Sequence, residues 1–197
     1  MKKLLPIGPL MIEHRLIERM IKIIEHELKE IKTQQTVNPI FIDQAVDFIR
    51  TYADQTHHGK EEDILFRELK KKDLTEEHQQ TMDELIEEHV FARNTTGDLV
   101  EAKNTYTYGD KNAIDTIIKK MEILIDFYPQ HIDKEDNHFF IPVMDYFSDE
   151  EKENLLQEGQ VFDRRMIHRK YDDLVKEFEK EKEIAQPKQD SDWIKRM

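Results

Sequence analysis

The chain predicts an all-α fold, an up-and-down four-helix bundle with an additional C-terminal helix. Three observations carry that expectation. Glycine and proline number only 5 and 6 in 197 residues, while Glu, Lys, Leu and Ile dominate, which favours helices over strands. Apolar residues recur at three- and four-residue spacing along most of the chain. Prolines and capping residues punctuate the periodic stretches. With 38% hydrophobic content the chain can bury one sizeable core and reads as a single domain.

The elements follow in order. Pro9 suits the first turn of a helix carrying Ile12, Leu16, Met20, Ile23, Ile24, Leu28 and Ile31. Thr33 to Val37 reads as a connection. Asn38-Pro39, a cap followed by proline at the first helical position, opens a second helix that runs through Ile42, Val46, Ile49 and Ala53 towards His57 and Leu69. Thr75 caps a third, bearing Met82, Leu85, Ile86, His89, Val90 and Leu99, with an exit turn at Asn104 to Gly109. Asp110 is expected to cap a fourth, with Ala113, Ile117, Ile118, Met121, Leu124 and Ile125 on one side and a kink at Pro129 just before His131. Ser148 and Glu151 form a capping box for the fifth, which carries Leu155, Phe162, Met166, Tyr171, Leu174 and Phe178. The bundle is expected to fill residues 1–184, the appended helix 148–184. Residues 185–197 are polar and contain Pro187, an expected disordered tail in which Trp193 and Ile194 are the apolar exceptions.

A formal net charge of -13 argues against nucleic-acid or anionic-membrane partners, which need a basic footprint; cations are the more natural ligand. With no cysteine, any metal must be held by imidazole and carboxylate. The opening MKKLLPIGPLMI is broken by Pro6 and Pro9 and is followed by no small-residue cleavage site. No apolar run approaches the roughly 20 residues that span a bilayer. A cytoplasmic protein is expected.

One pattern occurs twice. Glu13-His14 is followed by His57 and Glu61, and Glu88-His89 by His131 and Glu135. The histidine intervals of 43 and 42 residues suggest a duplicated helical pair, each half turning two His and one Glu inward. On a helix, His and Glu four apart share a face about 6 Å apart. That spacing alone is a weak signal, because His14, His26, His57, His58, His131 and His168 all have an acid at the fourth position. The extended match between HHGKEEDILF, from His57, and HIDKEDNHFF, from His131, rises above that background. Two cations a few ångströms apart repel, so bridging carboxylates from Glu61 and Glu135 would both ligate and neutralise them, with imidazoles at the outer positions. The donor set suits iron or manganese, with zinc possible.

These stretches resemble the hemerythrin-like proteins, also called HHE cation-binding domains, over a ligand core of about residues 8–147. The resemblance implies that His14, His57, Glu61, His89, His131 and Glu135 ligate two iron ions in a non-haem centre (Fe-O-Fe type) inside the bundle. The oxygen-carrying hemerythrins have a fifth histidine four positions before the third-helix ligand, where this chain has Leu85. His168 supplies the missing one if the fifth helix folds back across the site. The resemblance further implies a small gas ligand, O2 or NO, with O2 bound at an open position of reduced iron. Alternatives are a di-iron oxidase, peroxidase or nitric-oxide-related enzyme, an iron storage or repair protein, and a metal-free helical interaction module; whether the chain is an enzyme stays open.

The remaining histidines have plainer expectations. His58 turns about 100° from His57 on an α-helix and is expected in solvent or behind the ligands, a register with His58 and Glu62 as ligands being the alternative. His138 is expected to line the core, His26 to be exposed and His78 to be too distant. Phe66, Phe127, Phe139 and Phe140, with Leu10, Ile17 and Ile86, are expected to form an apolar pocket that admits small gases and limits water.

Overall fold

A computed structural model describes residues 4–163 and 165–184. The side chain of Met166 and the segment 185–197, with Trp193 and Ile194, fall outside that description. Among the described residues all regular structure is helical.

Helix α1 (Gly8–Gln34) has proline in its first turn and ends at Gln35, whose left-handed backbone (φ 55) returns its N–H to the Ile31 carbonyl at 2.8 Å. Helix α2 (Pro39–Phe48) starts on Asn38, whose side chain accepts the Phe41 N–H at 3.3 Å. It does not stop at Phe48. The rod widens into π-helical stretches at Ile49–His58 and Glu61–Phe66 and closes with an α-helical turn at Arg67–Leu69. Helix α3 (Glu76–Thr107) is capped by the Thr75 hydroxyl, which accepts the His78 N–H at 3.3 Å.

Helix α4 (Ala113–Asp133) runs through Pro129 and widens in the same way at Lys134–Phe139. Asp110 is not its cap: that carboxylate accepts the Asn112 N–H at 3.0 Å in the turn ahead of the helix. The capping box forms as expected, with Ser148 accepting the Glu151 N–H at 3.2 Å and Glu151 accepting the Ser148 N–H at 2.8 Å. It opens α5 (Asp149–Phe162). The C-terminal addition is helical but divided, because Asp163 adopts an extended backbone (φ -73, ψ 105) that ends α5 before α6 (Arg165–Glu181) begins.

Helix α1 packs on α4, α4 on α3 and α3 on α2, and the stretch Ile49–His58 returns to α1, closing a four-membered bundle. Helix α6 lies along α1 and buries Tyr171, Val175 and Phe178. The Phe178 ring sits 5.3 Å from Phe41, and Tyr171 meets Phe48 edge-on at 5.4 Å. Burying each such large apolar side chain contributes about 1.5–3 kcal/mol.

The apolar interior forms two clusters, and each of the four bundle rods crosses from one to the other at a polar residue. On α1 the crossing lies between Met11 and Leu16, at His14. On the second rod it lies between Ala53 and Ile64, at His57, His58 and Glu61. On α3 it lies between Leu85 and Leu99, at His89, and on the fourth rod Glu135 falls between Ile132 and Phe139. The crossings define one polar layer inside the bundle.

Candidate metal centre

His14, His57, Glu61, His89, His131 and Glu135 converge in this layer, each no more than 2% exposed. A seventh side chain, His58, joins them at 1% exposure. The donor atoms fall into two groups compact enough for one cation each: His14, His57, Glu61 and Glu135, and His58, His89 and His131. The carboxylates span both groups. Glu61 sets one oxygen 3.2 Å from His57 Nε2 and the other 3.3 Å from His89 Nε2. Glu135 does likewise, 3.1 Å from His14 Nε2 and 3.3 Å from His131 Nε2.

Those Nε2 atoms and all four carboxylate oxygens are buried and lack hydrogen-bond partners, as does His58 Nδ1. Such a concentration of unsatisfied polar atoms is costly unless something fills it. Two donors each about 2.1 Å from one cation and at right angles stand about 3 Å apart, which is the spacing found here. A cation pair fits the residues present.

The opposite ring nitrogens are anchored. His57 Nδ1 bonds Glu13 at 2.8 Å and His131 Nδ1 bonds Glu88 at 2.7 Å. His14 Nδ1 bonds Asp136 and His89 Nδ1 bonds Glu62, both at 2.7 Å. The duplication explains this wiring. The acid preceding the first histidine of each half holds the second histidine of that half, and the acid following the ligand carboxylate holds the first histidine of the other half. Cations hold the acids in turn. Lys60 contacts Glu13, Lys134 reaches Glu88 at 2.5 Å, Arg15 contacts Asp136, and Arg93 reaches Glu62 at 2.7 Å. Each imidazole is thus fixed with Nε2 facing inward.

The electrostatics follow. Burial pushes His14 down, but Asp136 and Glu135 outweigh it and raise the group to about 10. His89, likewise opposed by burial, is raised to about 11 by Glu135, Glu61 and Glu62. Burial and Glu61 push Glu135 up, yet His131, His14 and His89 bring it to about 2. His58 behaves oppositely: burial and the neighbouring His89 charge hold it well below the usual imidazole range.

A family model, the hemerythrin HHE cation binding domain, matches residues 5–141. The chain belongs to that family. No curated protein and no solved structure matches it in the corresponding comparisons. The hemerythrin match encloses every residue of the two inner groups, and the C-terminal helices lie outside it.

Within this hemerythrin bundle, His58 corrects the sequence expectation. An α-helix would turn it away from His57, but i→i+5 bonding over Ile49–His58 turns each residue through a smaller angle, so both rings face inward. The signal available in the sequence was the shortfall of one histidine beside an unexplained His-His pair. Leu85, at the position of the carriers' fifth histidine, is fully buried in apolar surroundings.

His168 is not brought into either inner group. Its Nε2 lies 2.9 Å from Asp163 and its Nδ1 3.1 Å from the Tyr52 hydroxyl, because the elbow at Asp163 sets α6 against the outer face of the second rod. Glu13, Asp163 and His168 form a third possible cation cluster, but Lys60 already contacts Glu13 and lies 2.6 Å from Asp163. His138 does not line the core. Its side chain is 70% exposed, since seven residues make two turns of an α-helix but not of the widened helix at Lys134–Phe139. His26 is 39% exposed, and His78 bonds the Tyr146 hydroxyl at 2.8 Å, away from the centre.

Phenylalanines cover the imidazoles. Phe140 stacks on His14 at 5.7 Å, Phe66 on His89 at 6.1 Å and Phe127 on His131 at 5.1 Å. This apolar sheath excludes water and raises the cost of unbalanced charge at the centre.

Proposed function

We propose that this HHE protein holds a dinuclear non-haem iron centre and uses it to bind or sense O2 or a related small oxidant. His58, His89 and His131 would hold one ion, His14 and His57 the other, and Glu61 and Glu135 would bridge them. The observation that supports this most directly is the set of inward Nε2 and carboxylate oxygen atoms that find no partner in the protein. When bound, iron supplies the redox change and the open coordination that a small oxidant needs. The protein's residues supply the rest. Glu61 and Glu135 neutralise charge, Glu13, Glu62, Glu88 and Asp136 fix ring orientation, and Phe66, Phe127 and Phe140 restrict water. Manganese and zinc are alternative occupants of the same donor set.

The test is anaerobic reconstitution with ferrous iron, metal analysis, and addition of O2 under optical observation. About two ions per chain and a persistent oxygenated spectrum are expected. Fewer than about one ion per chain overturns the metal reading, and rapid oxidation with turnover replaces binding by catalysis.

A further inference from the structure

The duplicated wiring of the metal centre is unequal in one place. Each half sets a lysine directly before its ligand glutamate, Lys60 before Glu61 and Lys134 before Glu135. Lys134 is held by two acids of α3, Glu88 at 2.5 Å and Glu84 at 3.2 Å. Lys60 has Glu13 as the counterpart of Glu88, but the residue five positions before His14, where Glu84 stands before His89, is Pro9. The second acid comes from elsewhere in the chain: Asp163, at the elbow between α5 and α6, accepts from Lys60 Nζ at 2.6 Å.

The first half is also shaped to receive that elbow. Gly59 stands where the second half has the exposed Asp133, and a Cβ at Gly59 would come 3.0 Å from Cζ of Phe162, the last residue of α5. The Lys60 side chain is 5% exposed under this cover, against 29% for Lys134. His168 Nε2, 2.9 Å from Asp163, holds the elbow carboxylate from α6.

We infer that Asp163 is a positioning residue for the metal centre, completing through Lys60 and Glu13 the support of His57 that the first half of the duplication does not carry itself. The inference rests on the metal reading proposed above and extends it to the C-terminal helices, which lie outside the family match. A buried ammonium with a single carboxylate draws that carboxylate's charge to itself. Asp163 answers part of the Lys60 charge, so Glu13 keeps its own for the N–H at His57 Nδ1, and the inward nitrogen stays a strong donor. The ion held by His14 and His57 thereby depends on how α6 is seated, whereas the ion held by His58, His89 and His131 feels it only through the bridging carboxylates.

Full-length variants are loaded anaerobically with ferrous iron and titrated with a chelator, and the two iron environments are followed by Mössbauer spectroscopy. Asp163→Asn is expected to weaken one of the two ions about tenfold, the low end for a group behind a ligand, and to shift one iron signal while the other stays. Asp163→Glu, which keeps the charge, should remain near wild type. The deciding variant adds Pro9→Glu to Asp163→Asn. Pro9 lines the same cavity as Lys60 and Asp163, and an acid in the first turn of α1 suits the helix terminus while restoring the carboxylate that Glu84 provides in the other half. Iron affinity should recover although the elbow contact is still missing, which a purely structural role of Asp163 would not allow. Wild-type affinity for both ions in Asp163→Asn overturns the inference, as does an equal loss of both ions or a double variant no better than the single one, and each of these leaves the metal reading intact. Wild-type protein that takes up no iron sinks both.

Discussion

The His58 ring lies flat on that of His89, with centroids 3.9 Å apart and planes within 9°. Two stacked imidazoles cannot both carry a proton cheaply. His89 is held protonated by the carboxylates around it, and His58 is held neutral by burial and by that adjacent charge. A neutral buried imidazole is a ready metal ligand.

His58→Ala should therefore lose metal much as His57→Ala and Glu135→Ala do, with about half the bound iron, that of the three-histidine end, lost first. His26→Ala and His138→Ala, altering side chains that are 39% and 70% exposed, should keep the wild-type content. Metal analysis of the five purified variants decides it. Full metal in His58→Ala removes that residue from the ligand set.

The acids behind the ring nitrogens should matter almost as much as the ligands. Glu13→Gln and Glu88→Gln keep the side-chain shape but take away the charge that orients His57 and His131, which lie 2.8 and 2.7 Å away. Each is expected to weaken metal binding by about 10–100-fold in chelator competition. The duplicated wiring makes the two losses comparable. A large loss in one and none in the other would show that the halves are not equivalent.

Much of the fold was legible because caps and apolar periodicity are local. Asn38, Thr75 and the Ser148–Glu151 box sit where the sequence places them, each answering a backbone N–H within three residues. The six duplicated His and Glu residues were legible because two halves wrote the same chemistry twice. What the sequence hid was the pitch of the helix. The widened stretches at Ile49–His58 and Lys134–Phe139 turn His58 inward and His138 outward, and no residue type marks them. His168 was misplaced for a different reason. The elbow at Asp163 depends on contacts with Lys60 and Tyr52, more than a hundred positions away.

Removing the metal should cost stability across the whole bundle, since the two inner groups lie where the four bundle rods cross between the apolar clusters. An ion that binds only the native state at 100 times its dissociation constant adds about 2.7 kcal/mol. Thermal melts with and without chelator should show a lower midpoint for the metal-free protein. Coincident melts of protein shown by analysis to be loaded and empty would mean that the layer is stable without its cation.

Loading should release protons, and the sign follows from the imidazoles. In the empty site His14 is raised to about 10 and His89 to about 11, from an ordinary value of 6.5, so both carry a proton at neutral pH. Glu61 and Glu135 are pushed the other way and are already ionised, so they release none. A metal takes only the neutral imidazole, and His57 is raised as well, against its burial, by Glu61 and Glu13, so loading at pH 8 should expel about two protons per chain or more into a weakly buffered indicator solution. Because His14 and His89 are raised on folding, their contribution to the empty protein is complete below about pH 6.5 and fades as pH climbs through 10 to 11. Metal affinity runs the opposite way and strengthens over that interval. The gap between loaded and empty melting temperatures should accordingly widen from pH 6.5 upward, and a gap that narrows, or loading with no proton release, would contradict the protonated empty centre on which this argument stands.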